Sequence, residues 1–218
     1  KVFLDYSDKI KFIDKPIEYD IYFKRSLLSE DFSGNVFPLN FQINFAHNPL
    51  GLISKIDKNL ILQAKSKVEM VRAIDVFKLL TNDSHQSKKI SNFKDSSDNG
   101  GRVIFMTRLW DPARNRHPDE KERRSLQNDF RINACRVIKN NFSNSMVGLF
   151  PTEFAKKVAP DVVLDDYIVK KKNYLNELNK ADIGIADDGL KDTTGWKIGE
   201  YVISQKAIIT TPIKTVVK

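Results

Sequence analysis

Residues 181–211 read ADIGIADDGLKDTTGWKIGEYVISQKAIITT, and few folds accommodate that order of patterns. Ile183–Ile185 is a short apolar run with the length of a buried strand. Asp187–Thr194 is polar and contains glycine, which makes it a loop. Thr193 or Thr194 is placed to cap a helix that starts near Gly195. That helix carries Trp196, Ile198 and Tyr201 and ends by Ser204–Lys206; Ala207–Thr210 is the next buried strand. A strand, loop, helix and strand in this order imply two parallel strands joined by a right-handed crossover. The helix N-terminus then points out of the carboxyl edge of the sheet. Open α/β sheets bind ligands at that edge, and helix N-termini favour anions.

The same alternation runs upstream. Arg102–Thr107 (RVIFMT) is a buried strand with Arg108 at its carboxyl end. A helix follows from about Asp119 to Phe142, with Asp119, Glu120 and Glu122 in the first turn, where negative charge suits the helix dipole. Leu126, Phe130, Val137 and Ile138 are expected to form its buried face, with Ala134 and Cys135 nearby; His117 stands at the helix entry as a capping or surface residue. Met146–Phe150 is a further strand and Asp161–Leu164 another candidate; residues 170–180 form a short helix with Tyr174, Leu175 and Leu178 inward. This alternation predicts an α/β fold with a Rossmann-like parallel sheet and flanking helices.

The first hundred residues are less regular. Val2–Tyr6 and Ile17–Phe23 are strand candidates, the second followed by Lys24, Arg25 and Ser26, read as a strand end with solvated basic residues. Val36–Phe45 is extended but interrupted by Pro38. Val68, Val71, Ile74, Phe77 and Leu80 recur at three-residue spacing as the core stripe of a helix. Residues 82–101 are polar, hold His85 and end in Asn-Gly-Gly, as a linker does. The resulting division is 1–48, 49–101 and 102–218.

Composition narrows the function. The net charge is +8, from 36 basic and 28 acidic residues. It suits an anionic small ligand, an anionic membrane surface, nucleic acid, or simply a lysine-rich solvated surface. No zinc spacing, aromatic RNA-binding signature or continuous basic run is present, so nucleic acid is not an expected partner. No apolar run is long enough to span a bilayer. The single cysteine, Cys135, excludes an internal disulfide and is expected to act as a small core hydrophobe in a reducing, cytoplasmic compartment. There is no GxGxxG, Walker A or nucleophile-elbow sequence.

Two features remain. Arg108 stands at a strand end, where a guanidinium can bind phosphate bidentately. Asp192 and Glu200 flank Gly195 at a helix start, where backbone amides at Thr194–Trp196 can face a diphosphate and carboxylates can accept from sugar or ribose hydroxyls; the alternative is a solvated loop acid and a helix-surface acid. Lys197 is either a phosphate contact or a solvated helix lysine.

These residues carry a resemblance. Asp192-Thr193-Thr194-Gly195-Trp196-Lys197-Ile198-Gly199-Glu200, the strand Lys206–Thr210 and Met106-Thr107-Arg108-Leu109 resemble the donor-binding segment of GT-B glycosyltransferases. Tyr22–Ser26, Thr107–Pro112 and Gly195–Tyr201 are similar, more narrowly, to bacterial surface-polysaccharide (capsule or lipopolysaccharide) enzymes of that class. Asp192 stands where the family pattern has Glu, and Arg114 where it has Lys. The resemblance implies a metal-independent, hexosyltransferase-like enzyme without a cofactor. It would move sugar from a nucleoside-diphosphate donor to a glycan or lipid-linked acceptor, in the cytoplasm or peripherally at the inner face of the cell membrane.

By that resemblance Asp192 and Arg108 are the catalytic candidates. Arg108, Arg114, Thr193, Thr194, Gly195 and Lys197 hold the donor, with Glu200 on its ribose. Residues 1–48 would be the tail of an acceptor-side domain, 49–101 a helical connector and linker, and 102–218 the nucleotide-sugar domain, the whole an incomplete GT-B chain. The alternative is a non-catalytic nucleotide-sugar-binding or assembly module.

Overall fold

The computed structural model describes residues 1–7, 10–32, 34–39, 93–95, 100–189 and 193–217. Lys1–Ile43 and Phe93–Lys218 cluster into one compact unit and Asn44–Asn92 into a second. The helical stripe from Val68 to Leu80, His85 and most of the polar linker lie outside the described residues, as does Asp192.

The larger sheet is the expected one. Its strands are β4 (Val103–Thr107), β5 (Ser145–Leu149), β6 (Ile183–Ala186) and β7 (Ala207–Thr210), all parallel, in the spatial order β5-β4-β6-β7. The first strand in sequence is therefore central, and the chain winds outward from it in both directions. Helix α1 (Pro118–Asn141) joins β4 to β5; α2 (Glu153–Val158) and α3 (Lys171–Lys180) precede β6; α4 (Trp196–Ile203) joins β6 to β7. Val103, Phe105, Val147 and Leu149 pack with Cys135 and Ile138 of α1 and Ala155 of α2, with Ile183 and Ile185 against the same cluster. Gly184 faces the other way and meets the ring of Tyr201 on α4. Helices thus cover both faces, as a parallel sheet requires. The molecule is α/β with a Rossmann-like, doubly wound sheet.

Gly184 shows how closely α4 lies on the sheet. A Cβ there would come within 2.5 Å of the Tyr201 ring. Tyr201 is fully buried and its hydroxyl donates to the Ile185 carbonyl at 3.1 Å, so the ring has no free path aside. Gly184→Ala is expected to cost about 1–3 kcal/mol through overpacking, read as a lower urea midpoint at unchanged slope.

A second, smaller sheet consists of β1 (Val2–Asp5), β2 (Ile21–Lys24) and β3 (Val36–Pro38), parallel and in sequence order. Tyr22, Leu27 and Val36 form its core, with Phe3, Phe12 and Tyr19 packed against them. Its carboxyl edge carries a buried charge pair: Lys24 lies 3.3 Å from Asp5, and both side chains are fully buried. The C-terminal tail ties this sheet to the rest of the unit. The Val216 N–H donates to the Leu27 carbonyl at 2.7 Å, and Thr215 bridges to Leu28.

Several expectations are corrected. Ile17 is not in a strand: Pro16 opens a single 3-10 turn over Pro16–Glu18, leaving Ile17 exposed. Asp161–Leu164 is a 3-10 turn, Pro160–Val162, followed by an isolated bridge from Val163 to Leu149. On α1 the buried residues are Asn128, Arg131, Cys135 and Ile138, whereas Leu126, Phe130 and Val137 are exposed. The true stripe runs 128, 131, 135, 138, at regular helical spacing; its first half is polar because it serves the strand ends rather than the core. His117 occupies the N-cap of α1 with no capping hydrogen bond from its side chain. Lys24 is not solvated but fully buried. Cys135 is the expected core hydrophobe, and burial pushes its thiol up to about 12.

Candidate functional site

The order β5-β4-β6 makes the gap between β4 and β6 the point where the chain reverses its direction of winding. Loops leaving those two carboxyl ends diverge and leave a crevice. A cavity of about 500 Å³ lies there. Thr107 and Arg108 line it from the end of β4, Ala186–Gly189 from the end of β6, and Phe150 from just past β5. The start of α4 closes another side with Gly195, Trp196 and Lys197.

Gly195 permits this closure. Its φ of −64° is ordinary, so the need for glycine is one of space. A Cβ would stand 2.6 Å from the Asp187 carbonyl oxygen. Gly195 is the N-cap of α4, and no side chain caps the helix. Thr193 and Thr194 therefore do not cap it; the Thr194 hydroxyl is instead hydrogen-bonded to that of Thr215. The first N–H groups of a helix have no intrahelical acceptor, and here those of Trp196 and Lys197 belong to residues that line the cavity, whereas the Ile198 N–H donates to the Gly195 carbonyl at 3.2 Å.

The cations differ in their situation. Arg108 is exposed, with its guanidinium 5.7 Å from the Trp110 ring centre and 5.5 Å from that of Phe150. Lys197 is half-buried, its ammonium 4.3 Å from the Tyr174 ring centre and 5.6 Å from that of Phe150. Burial lowers its pKa to about 8, with the Lys171 and Arg131 charges in the same direction and the Glu200 carboxylate opposing. Arg131 of α1 is buried and pairs with Asp187 at 2.6 Å.

Arg131 also makes the geometry of the site. Its guanidinium donates to the Asp187 carboxylate, to the Arg108 carbonyl and, at 3.3 Å, to the Asp188 carbonyl. One side chain thereby ties the loop after β4 to the loop after β6. One turn earlier, Asn128 brackets Trp110, accepting from its N–H at 3.1 Å and donating to its carbonyl at 2.8 Å. Gln127 donates to the Asp188 carbonyl at 2.6 Å. The polar half of the α1 stripe is therefore the scaffold of the crevice.

Of the residues singled out in the sequence, the structure brings Arg108, Thr193, Gly195 and Lys197 together around the cavity. Arg114 does not line it: its side chain is 82% exposed and lies 3.7 Å from Asp111 within the same turn. Glu200 lies one turn behind Lys197, facing α3. Its carboxylate is bonded to Lys171 and accepts from the Tyr174 hydroxyl at 2.6 Å. Burial acts to raise that carboxyl, but the Lys197 and Lys171 charges and these hydrogen bonds hold it below its ordinary value. Thr194 is turned toward Thr215.

Arg131, Gln127 and Asn128 were missed because they sit inside a helix read by its apolar residues alone. The spacing of Asn128 and Arg131 with Cys135 and Ile138 is the signal that marks them. Among the described residues, no three His, Cys, Asp or Glu side chains cluster so as to hold a metal ion, and no helix is long and apolar enough to cross a membrane.

Chemically, the crevice offers a helix N-terminus and two cations for an anion, and the rings of Trp110, Phe150 and Trp196 for a planar or apolar group. These features define a Rossmann-like α/β domain with an anion-suited crevice at its switch point. Comparison with known protein families, with curated proteins and with solved structures returns no match.

Proposed function

We propose that the crevice binds the diphosphate of a nucleoside-diphosphate sugar and that the chain is a GT-B-like glycosyltransferase acting in bacterial surface-polysaccharide synthesis. The observation that carries this reading is the placement of Arg108, Lys197 and the open N-terminus of α4 around one cavity at the β4–β6 switch point. A leaving diphosphate gains charge as the glycosidic bond breaks, and fixed donors and cations aimed at it lower the barrier. Arg108 and the α4 amides take that role, and Lys197 faces the same space. The acceptor is a glycan or a lipid-linked sugar. The basic balance of the chain favours approach to an anionic membrane surface from the cytoplasmic side.

One observation favours the second reading, a nucleotide-sugar-binding module without turnover. The two carboxylates of the described cavity lining are already engaged, Asp187 by Arg131 and Asp188 by the Thr211 hydroxyl at 2.8 Å. Calorimetric titration of UDP, GDP and their sugars, with donor hydrolysis followed in parallel, separates the readings. Binding with turnover supports the transferase, binding alone the module, and no binding of any nucleotide removes both.

Arg108→Ala is expected to weaken nucleoside-diphosphate binding by about 1.5–3 kcal/mol, the range for hydrogen bonds to charged groups. That corresponds to roughly 10- to 100-fold in Kd. Arg114→Ala is the control and should leave Kd unchanged, since its side chain stands in solvent. Equal losses in the two variants would remove Arg108 from the site.

A further inference from the structure

Lys197 differs from the other lysines around the site. Lys171, its neighbour, is held by Glu200 in an ion pair. Among the described residues no carboxylate pairs with Lys197; its nitrogen lies instead between the rings of Tyr174 and Phe150. Its surroundings are of mixed charge. Lys171 approaches from α3, Arg131 from α1, and Arg108, at the end of β4, shares the Phe150 ring. The acidic groups that face it are Glu200 on its own helix, bound to Lys171 and Tyr174, and Asp187 after β6, bound to Arg131. Burial, helped by the Lys171 and Arg131 charges and opposed by Glu200 and Asp187, makes this amine, which has no ion pair among the described residues, give up its proton more readily than an exposed lysine. The amine also opens into a cavity large enough for a second molecule.

We infer that Lys197 is a covalent acylation site that captures acyl groups from acyl phosphates docked in the crevice. Arg108 and the first-turn amides of α4 hold the phosphate end, and Lys197 faces the acyl end. The neutral amine attacks the carbonyl carbon, the N–C bond forms and the C–O bond to phosphate breaks. Phosphate leaves with the electron pair, stabilised by Arg108, and the proton released from the amine passes to the phosphate or to water. The product is an amide, so one of the two cations at the crevice is lost. Acylation thereby weakens any anion that binds the same cavity, which makes the step a switch on the proposed nucleotide site. It rests on the anion-binding reading of that cavity.

The degree of deprotonation sets the expected size of the effect. With a pKa of about 8, roughly half of Lys197 is neutral at pH 8, against well under 1% of an ordinary lysine. The lower intrinsic nucleophilicity of a weaker base offsets part of this, leaving an advantage of about tenfold. The probe is acetyl phosphate with the intact protein at pH 8, read by peptide mass mapping against time. Lys197 should acetylate more than about tenfold faster than exposed Lys121 and Lys172, since docking adds to the effect of deprotonation, and UDP in excess should protect it. Arg108→Ala should slow acetyl phosphate at Lys197 by removing the docking contribution, leaving only the preference over exposed lysines that deprotonation gives. Acetic anhydride, which carries no phosphate, should still prefer Lys197 in that variant.

Rates at Lys197 equal to those at Lys121 and Lys172 with acetyl phosphate overturn the inference, whatever acetic anhydride does. If UDP binds by calorimetry and Lys197 shows no preference, the inference fails and the nucleotide reading stands. If Lys197 is captured selectively and no nucleotide binds, the nucleotide reading fails and the acylation site stands.

Discussion

Asp5→Ala is expected to destabilise the protein by about 3–5 kcal/mol, the cost of breaking a buried ion pair by removing one partner. Asp5 and Lys24 are the last residues of β1 and β2, paired side by side in parallel register. Their charged groups are 3.3 Å apart and fully buried. The carboxylate is further held by the N–H of Ser7 at 2.9 Å, the N–H of Ile13 at 3.2 Å and the Tyr22 hydroxyl at 3.0 Å. Burial acts to raise this carboxyl, but the bonds from Ser7, Ile13 and Tyr22 overcome it and hold the pKa below its ordinary value. The two partners are therefore not equivalent. Lys24→Met leaves a carboxylate that still has these three donors and should cost less than Asp5→Ala, which removes the carboxylate from an ammonium that also contacts the Ser7 hydroxyl at 3.3 Å. Urea denaturation of both variants checks the order; equal losses would mean that the pair, rather than the carboxylate network, carries the stability. A group with a depressed folded-state pKa contributes fully above its unfolded pKa and loses its contribution as pH falls through the folded value. Wild-type stability should thus fall below about pH 4, and Asp5→Asn should flatten that part of the profile.

The second half of the chain was legible because strands β4, β6 and β7 are near-continuous apolar runs, and a parallel sheet covered on both faces needs runs of that kind. The ends of those strands could also be read, since Arg108 and Gly195 stand at the two places where apolar runs give way to polar ones. Glu200 was harder. A carboxylate one turn into a helix has the spacing to meet a ligand on the helix's front edge. It has equally the spacing to meet a neighbouring helix, and Lys171 and Tyr174 on α3 decide between these. Sequence patterns carry no information about which face of α4 meets α3. Arg114 was misplaced for a similar reason: Pro112 starts a 3-10 turn, which points the next cation at Asp111 and solvent. The small sheet was least legible, because its strands are three or four residues long and too short for periodicity to show. There Lys24 reads as a solvated strand end, because an aspartate and a lysine closing adjacent strands become a pair only once the strands are known to be parallel and in register.

Arg131→Met is expected to cost about 3–5 kcal/mol, because it strands the Asp187 carboxylate where only a tenth of it reaches solvent. The larger consequence is for the site. Arg131 bonds to the Arg108 carbonyl and to the Asp187 carboxylate at once, so without it the two loops that define the crevice lose their common anchor. Stability and site geometry can be separated by a second substitution. Arg131→Met with Asp187→Leu removes both charges and fills the space with apolar groups of similar size. Replacing a buried pair in this way is often neutral or stabilising, so the double variant should recover most of the urea midpoint lost by Arg131→Met alone. Such non-additivity is the signature of two residues in contact. Nucleoside-diphosphate binding should not recover with it, because the carbonyls of Arg108 and Asp188 still lack their shared donor and Arg108 is no longer set against the start of α4. A double variant that regains both the midpoint and the affinity would show that Arg131 serves only to neutralise Asp187. Recovery of the midpoint alone, with Asp187→Leu by itself still binding nucleoside diphosphate, shows that the buried guanidinium of α1 builds the crevice through the backbone carbonyls of Arg108 and Asp188.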